Sequence, residues 1–213
     1  MPTDPVPDYV QEYLDSLVPP RPAEMAAMEE KARRNGFPII GPASGYVCYQ
    51  IARMIGARRI FELGSGYGYS TAWFARAVRE NGGGTVYHTV WSEDLSAQAR
   101  GHLAALGYDD IVEYRVSEAT EALRETPGPF DLIFNDIDKE GYPASLPLIA
   151  EKLRPGGVLI IDNMLWHGRI FEESDQDPST VGVREITRML TTDAGWISTL
   201  IPVRDGLIVA YKL

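Results

Sequence analysis

Two polar clusters are the parts of this sequence that are best suited to chemistry. Asp136 follows an apolar run, and Asp162 with Asn163, 26 residues further on, follows another. If both runs are parallel strands, their carboxyl ends lie at the sheet edge where α/β proteins bind ligands. Neighbouring strands are about 4.8 Å apart, so oxygen ligands from Asp136, Asp162 and Asn163 can converge on one cation. An all-oxygen set favours Mg²⁺, Mn²⁺ or Ca²⁺.

The alternative without a metal is that these residues cap two solvated strand ends, because Asp and Asn are also common turn residues. That alternative explains one acidic strand end more easily than two, so we favour the metal interpretation. Lys139 lies beside the cluster, where a nearby cation would favour the neutral amine and make it a general base. An ordinary ion pair between Lys139 and Asp138 is equally compatible with position alone.

A glycine-rich segment forms the second candidate site. Gly64, Gly66 and Gly68 alternate directly after the predicted strand 59–63 and before a predicted helix. Glycine lets the backbone turn sharply and approach a ligand, and the following helix offers free N–H groups. A tight turn without a ligand is the alternative. Tyr69 occupies the place of the third glycine in a dinucleotide fingerprint, and a carboxylate at Glu62 would repel a diphosphate. We therefore rank nicotinamide binding low.

Short apolar runs and amphipathic stretches alternate after Gly56, which is typical of βαβ units and a parallel sheet. Predicted strands cover 59–63, 85–91, 111–116, 130–136 and 157–162, and predicted helices cover 8–17, 23–34, 43–55, 70–79, 95–106, 118–124, 144–153 and 183–190. Two further strands, 197–203 and 207–211, flank Asp205-Gly206, a hairpin signal. The fold class is α/β, with a mostly parallel sheet that ends in an antiparallel hairpin.

Composition narrows the possible partners. The chain has 213 residues, an ordinary size for one domain, here 1–213 with a helical N-terminal segment over 1–40. A net charge of -10 disfavours nucleic acid and anionic membranes as partners. No secretory signal or apolar membrane span is visible, so we expect a cytoplasmic protein. The single cysteine, Cys48, excludes an internal disulfide and is expected to be a small buried hydrophobe.

From about Ile40 to its end, the chain resembles the cation-dependent O-methyltransferases, the family that includes catechol O-methyltransferase and the caffeoyl-CoA O-methyltransferases. Three segments carry the resemblance: 61–71 with its glycines, 130–139 with Asp-Ile-Asp-Lys, and 153–168 with Asp-Asn-Met-Leu-Trp. Many methyltransferases share the first segment, whereas the other two together are specific.

The resemblance implies a Rossmann-like class I methyltransferase fold with a seven-stranded sheet, and a cofactor, S-adenosylmethionine. It assigns cofactor contacts to Ile40, Gly41, Glu62, Gly64, Ser65, Ser70, Ala119 and Asp136. It assigns the cation, Mg²⁺ or a related ion, to Asp136, Asp162 and Asn163, the catalytic base to Lys139, and acceptor contacts to Asp138 and His167. It also implies a hydroxylated aromatic small molecule as acceptor and a homodimer.

One position departs from the family pattern. The second strand usually ends in an acid that binds the ribose hydroxyls, and here Val90 stands at that place. Losing those hydrogen bonds costs about 1.5–3 kcal/mol. Ser92, Glu93 or Asp94 are the polar residues that we expect to replace them. Val90 is also the main support for a second hypothesis, a catalytically silent methyltransferase-like binding protein. A nicotinamide-dependent oxidoreductase ranks third.

Overall fold

Helices at the N-terminal end of the chain begin at prolines. The structure is a computed structural model and describes residues 5–213, so the expectation for residues 1–4 lies outside the described residues. Pro7 and Pro22 precede α1 (Asp8–Ser16) and α2 (Ala23–Asn35), and α3 spans Gly41–Met54. Gly36 ends α2 in the left-handed conformation that favours glycine. Met25 and Met28 of α2 are buried in the main core, so this helix packs against the sheet domain.

Strands and helices alternate through the rest of the chain, as predicted. In the described residues, strands cover β1 (Arg59–Leu63), β2 (Thr85–Val90), β3 (Val112–Val116), β4 (Phe130–Asn135), β5 (Leu153–Ile161), β6 (Trp196–Ile201) and β7 (Leu207–Lys212). Helices between them cover α4 (Tyr69–Glu80), α5 (Glu93–Ala105), α6 (Ala119–Glu125), α7 (Tyr142–Lys152) and α8 (Pro178–Thr192). The predicted bounds of the first strand are the observed ones.

Two elements begin four or five residues earlier than predicted. Strand β5 begins at Leu153 and not at 157, because Leu153 pairs with Phe130 of β4 before the glycines. Helix α8 begins at Pro178 and not at 183, because the Asp177 side chain accepts a hydrogen bond from the Ser179 N–H and caps the helix. Pro178 occupies the first turn, where its missing N–H costs nothing.

Within residues 5–213 the seven strands form one sheet in the order β3-β2-β1-β4-β5-β7-β6. All neighbours up to β5 are parallel, whereas β7 is antiparallel to both β5 and β6. The terminal hairpin was therefore predicted correctly. Strand β1 pairs with β4 so that Leu63 lies opposite Asn135, and β4 pairs with β5 so that Asn135 lies opposite Ile161. Both polar clusters and the glycine segment consequently follow strand ends at one edge.

Helices cover both faces of the sheet. One buried cluster joins Ile60, Phe134 and Ile160 to α2, α3, α4 and α5, and a second joins Phe61, Ile133 and Leu159 to α6, α7 and α8. Adjacent strand residues point to opposite faces, so near-continuous apolar runs bury both. Cys48 is fully buried in the first cluster, as expected. In the described part of the chain, no helix is both long and apolar enough to cross a membrane.

Candidate functional site

The glycine segment connects the ends of strands β1 and β4. Gly64 has a φ of +88°, and a Cβ on it would lie 2.5 Å from the backbone oxygen of Asp136. The Asp136 N–H donates to the Leu63 carbonyl at 2.8 Å. Only glycine allows the two strand ends to approach this closely. The loop is held from the other side by Ser65, whose backbone N–H donates to the Thr89 carbonyl and whose Oγ accepts from the Thr89 N–H.

Glu62 is a fully buried carboxyl group beneath this loop. The hydroxyls of Ser65, Ser70 and Thr71 lie close enough to favour its ionised form, but burial is the larger effect and raises the pKa of Glu62 to about 7. Neither carboxyl oxygen makes a hydrogen bond of normal geometry within the described part of the chain. A buried carboxyl group without a partner is costly, so its position fits a cationic group of a ligand.

Two adjoining cavities that share lining residues border the glycine segment, and together they are called the cleft, with a narrow and a wide end. Its narrow end is lined by five of the residues that the resemblance assigns to the cofactor: Ile40, Gly64, Ser65, Ser70 and Asp136. Its wide end has a volume of about 440 Å³ and is lined by Val90, Trp91, Ala119, Asp136 and Asp138, among others. Gly64, Gly66 and Asp136 line both ends. The structure therefore brings the predicted cofactor residues together, except Glu62, which lies buried behind the loop, and Gly41, which lines neither end.

Val90 occupies the position expected at the end of β2 and lines the wide end of the cleft. The expectation that Ser92, Glu93 or Asp94 replace the missing acid finds no support, because none of them lines the cleft. Ser92 caps helix α5 by accepting a hydrogen bond from the Leu95 N–H, and Asp94 accepts one from Gln98. Ser92 and Asp94 lie before or within the first turn of α5, so their side chains form hydrogen bonds that stabilise this helix.

Asp162 is the most deeply buried carboxylate of the polar cluster. It is 1% exposed, and burial together with the nearby Asp136 carboxylate raises its pKa to about 7. Its Oδ2 lies 3.1 Å from Nη1 of Arg204, whereas its Oδ1 has no hydrogen-bond partner among residues 5–213. The register Asn135↔Ile161 places Asp136 and Asp162 directly after the ends of neighbouring strands, and repulsion from the Asp136 carboxylate contributes to the raised pKa of Asp162.

The third predicted cation ligand is held by a residue that sequence reasoning missed. Asn163 donates its amide nitrogen to Oδ2 of Asp205 at 3.1 Å, which leaves its oxygen as an acceptor. Asp205 is buried, and its Oδ1 accepts from the backbone N–H of His167. It lies in the turn between β6 and β7, where Asp-Gly was taken only as a hairpin signal. Its second role depends on a contact across 42 residues of sequence.

The donor set fits a hard cation. No group of three His, Cys, Asp or Glu side chains suited to a metal occurs in residues 5–213, so a site here needs the Asn163 amide oxygen beside the two carboxylates. Asp136, Asp162 and Asn163 supply oxygens alone, as Mg²⁺ and Ca²⁺ prefer. The unpartnered, buried Oδ1 of Asp162 is the observation that favours an ion at this position.

Lys139 lies beside Asp136, in a short 3-10 turn over Lys139–Gly141. Its Nζ donates to Oδ1 of Asp136 at 2.8 Å and to the Ile137 carbonyl at 3.2 Å. The alternative ion pair with Asp138 is not formed, and Asp136 is the partner. The Lys139 side chain is only 12% exposed, and its Nζ lies 5.9 Å from the ring centre of Trp166. The amine is thus sheltered and fixed at the cation cluster.

The two predicted acceptor residues are both exposed. Asp138 is exposed and lines the wide end of the cleft. The His167 side chain is 61% exposed, and its Nε2 lies 3.8 Å from Oδ2 of Asp205. Both residues border the site without forming its floor. Asp205 orients His167 through the backbone bond and also accepts from the Asn163 amide, so His167 and Asn163 are placed by the same buried carboxylate.

Sequence reasoning missed several lining residues. Phe37 and Pro38 line both ends of the cleft and also a neighbouring cavity of about 530 Å³ that Arg204 borders. Phe37 packs against Tyr67, with ring centres 4.7 Å apart. Trp91 lines the wide end and is 81% exposed, an unusual position for a large aromatic residue without a ligand. Only the exposure of Trp91 after a strand end could have been anticipated.

Comparisons with known proteins agree with this geometry. A family model described as O-methyltransferase matches residues 25–213. A catechol O-methyltransferase from Mycobacterium tuberculosis is 33% identical over 205 residues, which cover 94% of this chain and 91% of that protein. The O-methyltransferase from Bacillus cereus in complex with SAH is 28% identical, with a TM-score of 0.86 over 96% of this chain and 97% of that one. The O-methyltransferase TomG from Streptomyces achromogenes in complex with SAM is 27% identical, with a TM-score of 0.85 over 96% of each chain.

Proposed function

Because the chain belongs to the O-methyltransferase family and is an S-adenosylmethionine-dependent O-methyltransferase, we propose that it methylates a small catechol-like acceptor with the help of a divalent cation. The predicted Rossmann-like class I methyltransferase fold and enzyme class are confirmed. The nicotinamide-dependent and catalytically silent alternatives are set aside. The homodimer and the cytoplasmic location stay predictions.

One observation carries the proposal. At a single sheet edge, the buried Asp162 has an oxygen without a hydrogen-bond partner in the described part of the chain, and Lys139 is fixed within hydrogen-bond distance of Asp136. A cation ligand set and a candidate base are thus adjacent, next to the cleft that the glycine segment lines. Vicinal hydroxyls, which can chelate one cation, are the acceptor class that uses both features. The names of two relatives as catechol O-methyltransferases support this choice.

The cofactor would lie along the cleft with its methionine end at the narrow side. There the Glu62 carboxylate, buried behind the glycine loop, would supply negative charge that attracts an ammonium group from across the loop, and α4 begins where this loop ends. The adenine end would lie near Ala119 and Trp91 at the wide side. Asp136 lines both ends of the cleft, so it is placed to face cofactor and cation together.

The chain's residues divide the work of transfer. Asp136, Asp162 and Asn163 would hold the cation. When bound, the cation would lower the pKa of the acceptor hydroxyl and weaken the attraction between Asp136 and Lys139. After releasing its own proton to solvent, Lys139 Nζ would take the hydroxyl proton as general base. The oxyanion then attacks the sulfonium methyl group: a C–O bond forms, the S–CH₃ bond breaks, and S-adenosylhomocysteine leaves. Fixed positions supply much of the rate enhancement.

Acceptors that differ by one hydroxyl test the proposal. Purified protein with labelled S-adenosylmethionine and Mg²⁺ is given catechol, or phenol as the matched single-hydroxyl control. We expect transfer to catechol at least about 100-fold faster than to phenol, because phenol cannot chelate. Equal rates on both acceptors would contradict the vicinal-hydroxyl requirement. Absence of transfer to every dihydroxy aromatic compound tested would contradict the proposed acceptor class.

A further inference from the structure

Arg204 places a positive charge inside the candidate cation site. Its Nη1 lies 3.1 Å from Oδ2 of Asp162, the more buried of the two carboxylates. The Arg204 side chain is 26% exposed, whereas that of Asp162 is 2% exposed. The guanidinium therefore reaches inward from the β6–β7 turn to a group that is sealed from water. The function proposed above gives Arg204 no role.

The backbone holds Arg204 in this position. Its φ is +51°, in the left-handed region where residues other than glycine are uncommon and strained. Its backbone N–H donates to Oε1 of Gln11 at 2.9 Å, which ties the turn to α1. Its Cδ lies 3.8 Å from the point where a Cβ on Gly41 would be. The side chain is thus directed past α3 toward Asp162 at some conformational cost.

We propose that Arg204 competes with the divalent cation for Asp162, so that the site fills only at a higher cation concentration than its oxygen ligands alone would require. This inference rests on the proposed cation-dependent function. One carboxylate cannot fully neutralise a guanidinium and a divalent ion, and the two cations repel each other across it. For the cation to bind, the Arg204 guanidinium must therefore move away from Asp162. If it stays, the site binds the cation with lower affinity.

The neighbouring cavity gives the guanidinium a place to withdraw. It has a volume of about 530 Å³, and Arg204, Asp15 and Glu29 are among its lining residues. The other arginines of this cavity are already paired: Arg21 donates twice to Glu29, and Arg33 pairs with Glu30. Arg204, the third arginine of this cavity, is paired with Asp162. Competition for the site is accordingly assigned to this residue.

Direct titration with Mn²⁺, followed by electron paramagnetic resonance without cofactor or acceptor, tests the proposal. Arg204→Met keeps the apolar stem and removes the charge, so the Mn²⁺ Kd is expected to fall by about ten- to a hundredfold. Arg204→Lys keeps a charge and should tighten binding less. Arg33→Met is the matched control, because it removes an arginine from the same cavity without touching Asp162, and it should leave the Kd unchanged.

The outcomes separate this inference from the function on which it rests. Unchanged or weaker Mn²⁺ binding by Arg204→Met would overturn it, since Arg204 would then support Asp162 and not compete for it. Failure of both the wild type and Arg204→Met to bind would overturn the cation site itself. If Arg204→Met does not fold, as judged by circular dichroism, Arg204→Gly replaces it, because glycine suits the positive φ. Tight binding that persists after Asp162→Asn is added would also contradict the proposal.

Discussion

Replacing Glu62 with Gln should change how the stability of this protein depends on pH. The pKa of Glu62 is raised from 4.5 to about 7 because the carboxyl group is buried. A raised native-state pKa means that the folded chain binds the proton more tightly than the unfolded chain. The stabilising effect of protonation is complete below pH 4.5 and is lost as pH rises to about 7.

The size of the effect follows from that shift. At 1.36 kcal/mol per pKa unit, ionising the buried Glu62 costs about 3 kcal/mol of unfolding free energy. Other buried groups titrate in the same range. Asp162, whose pKa is also raised to about 7, adds a loss of the same sign, whereas His88, whose pKa burial lowers to about 4, adds stability as pH rises from about 4 to 6.5. The wild-type profile alone therefore cannot isolate Glu62.

The difference between Glu62→Gln and the wild type does isolate it. Urea unfolding at pH values from 4.5 to 8 gives both free energies, and subtracting them cancels the Asp162 and His88 contributions. We expect the unfolding free energy of the variant minus that of the wild type to rise by about 3 kcal/mol from the lowest to the highest pH. It should also bind S-adenosylmethionine more weakly in calorimetry, because the charge that faces the ammonium group is gone. A difference that stays constant with pH would refute the burial argument.

Three further substitutions test the cofactor and base assignments. Val90→Glu restores an acid at the end of β2, in the cleft, and should lower the S-adenosylmethionine Kd by about tenfold in calorimetry; an unchanged Kd would show that this position does not face the ribose. Lys139→Met should lower kcat by about 100-fold or more while leaving cofactor affinity intact, and a variant with near-normal kcat would exclude Lys139 as the base. Gly64→Ala brings a Cβ to 2.5 Å from the Asp136 carbonyl at a φ of +88°, so thermal unfolding should show a loss of about 2 kcal/mol or more; a stable variant with normal cofactor binding would contradict the close approach described here.

Sequence patterns predicted the site where local chemistry determines it. Apolar runs defined the strands, and residues such as Asp136 and Asp162 follow strand ends because the sheet leaves ligand-binding positions there. The glycine turn was recognisable because its conformations exclude other residues. These features depend on a few neighbouring residues, so a single sequence contains them.

The missed features depend on contacts between distant segments. The ion pair between Arg204 and Asp162 joins residues 42 positions apart, and a hairpin turn gives no indication that one of its side chains reaches another strand end. The contact of Asp205 with Asn163 was likewise not predicted, because Asp-Gly in the sequence indicates only a turn. Phe37 lines the cleft because α2 and α3 pack beside the glycine loop, which no pattern near Phe37 indicates. Ser92, which we expected near the ribose, caps helix α5, a role that competes with ligand binding.

Methyl transfer during cation removal and return tests the central claim most directly. Labelled S-adenosylmethionine and catechol are incubated with the protein after complete chelation, and Mg²⁺ is then added back in steps. If Asp136, Asp162 and Asn163 hold the cation that activates the acceptor, transfer falls to background on chelation and returns with Mg²⁺ in a saturable manner. Transfer that continues at its original rate in the fully chelated protein would contradict the account.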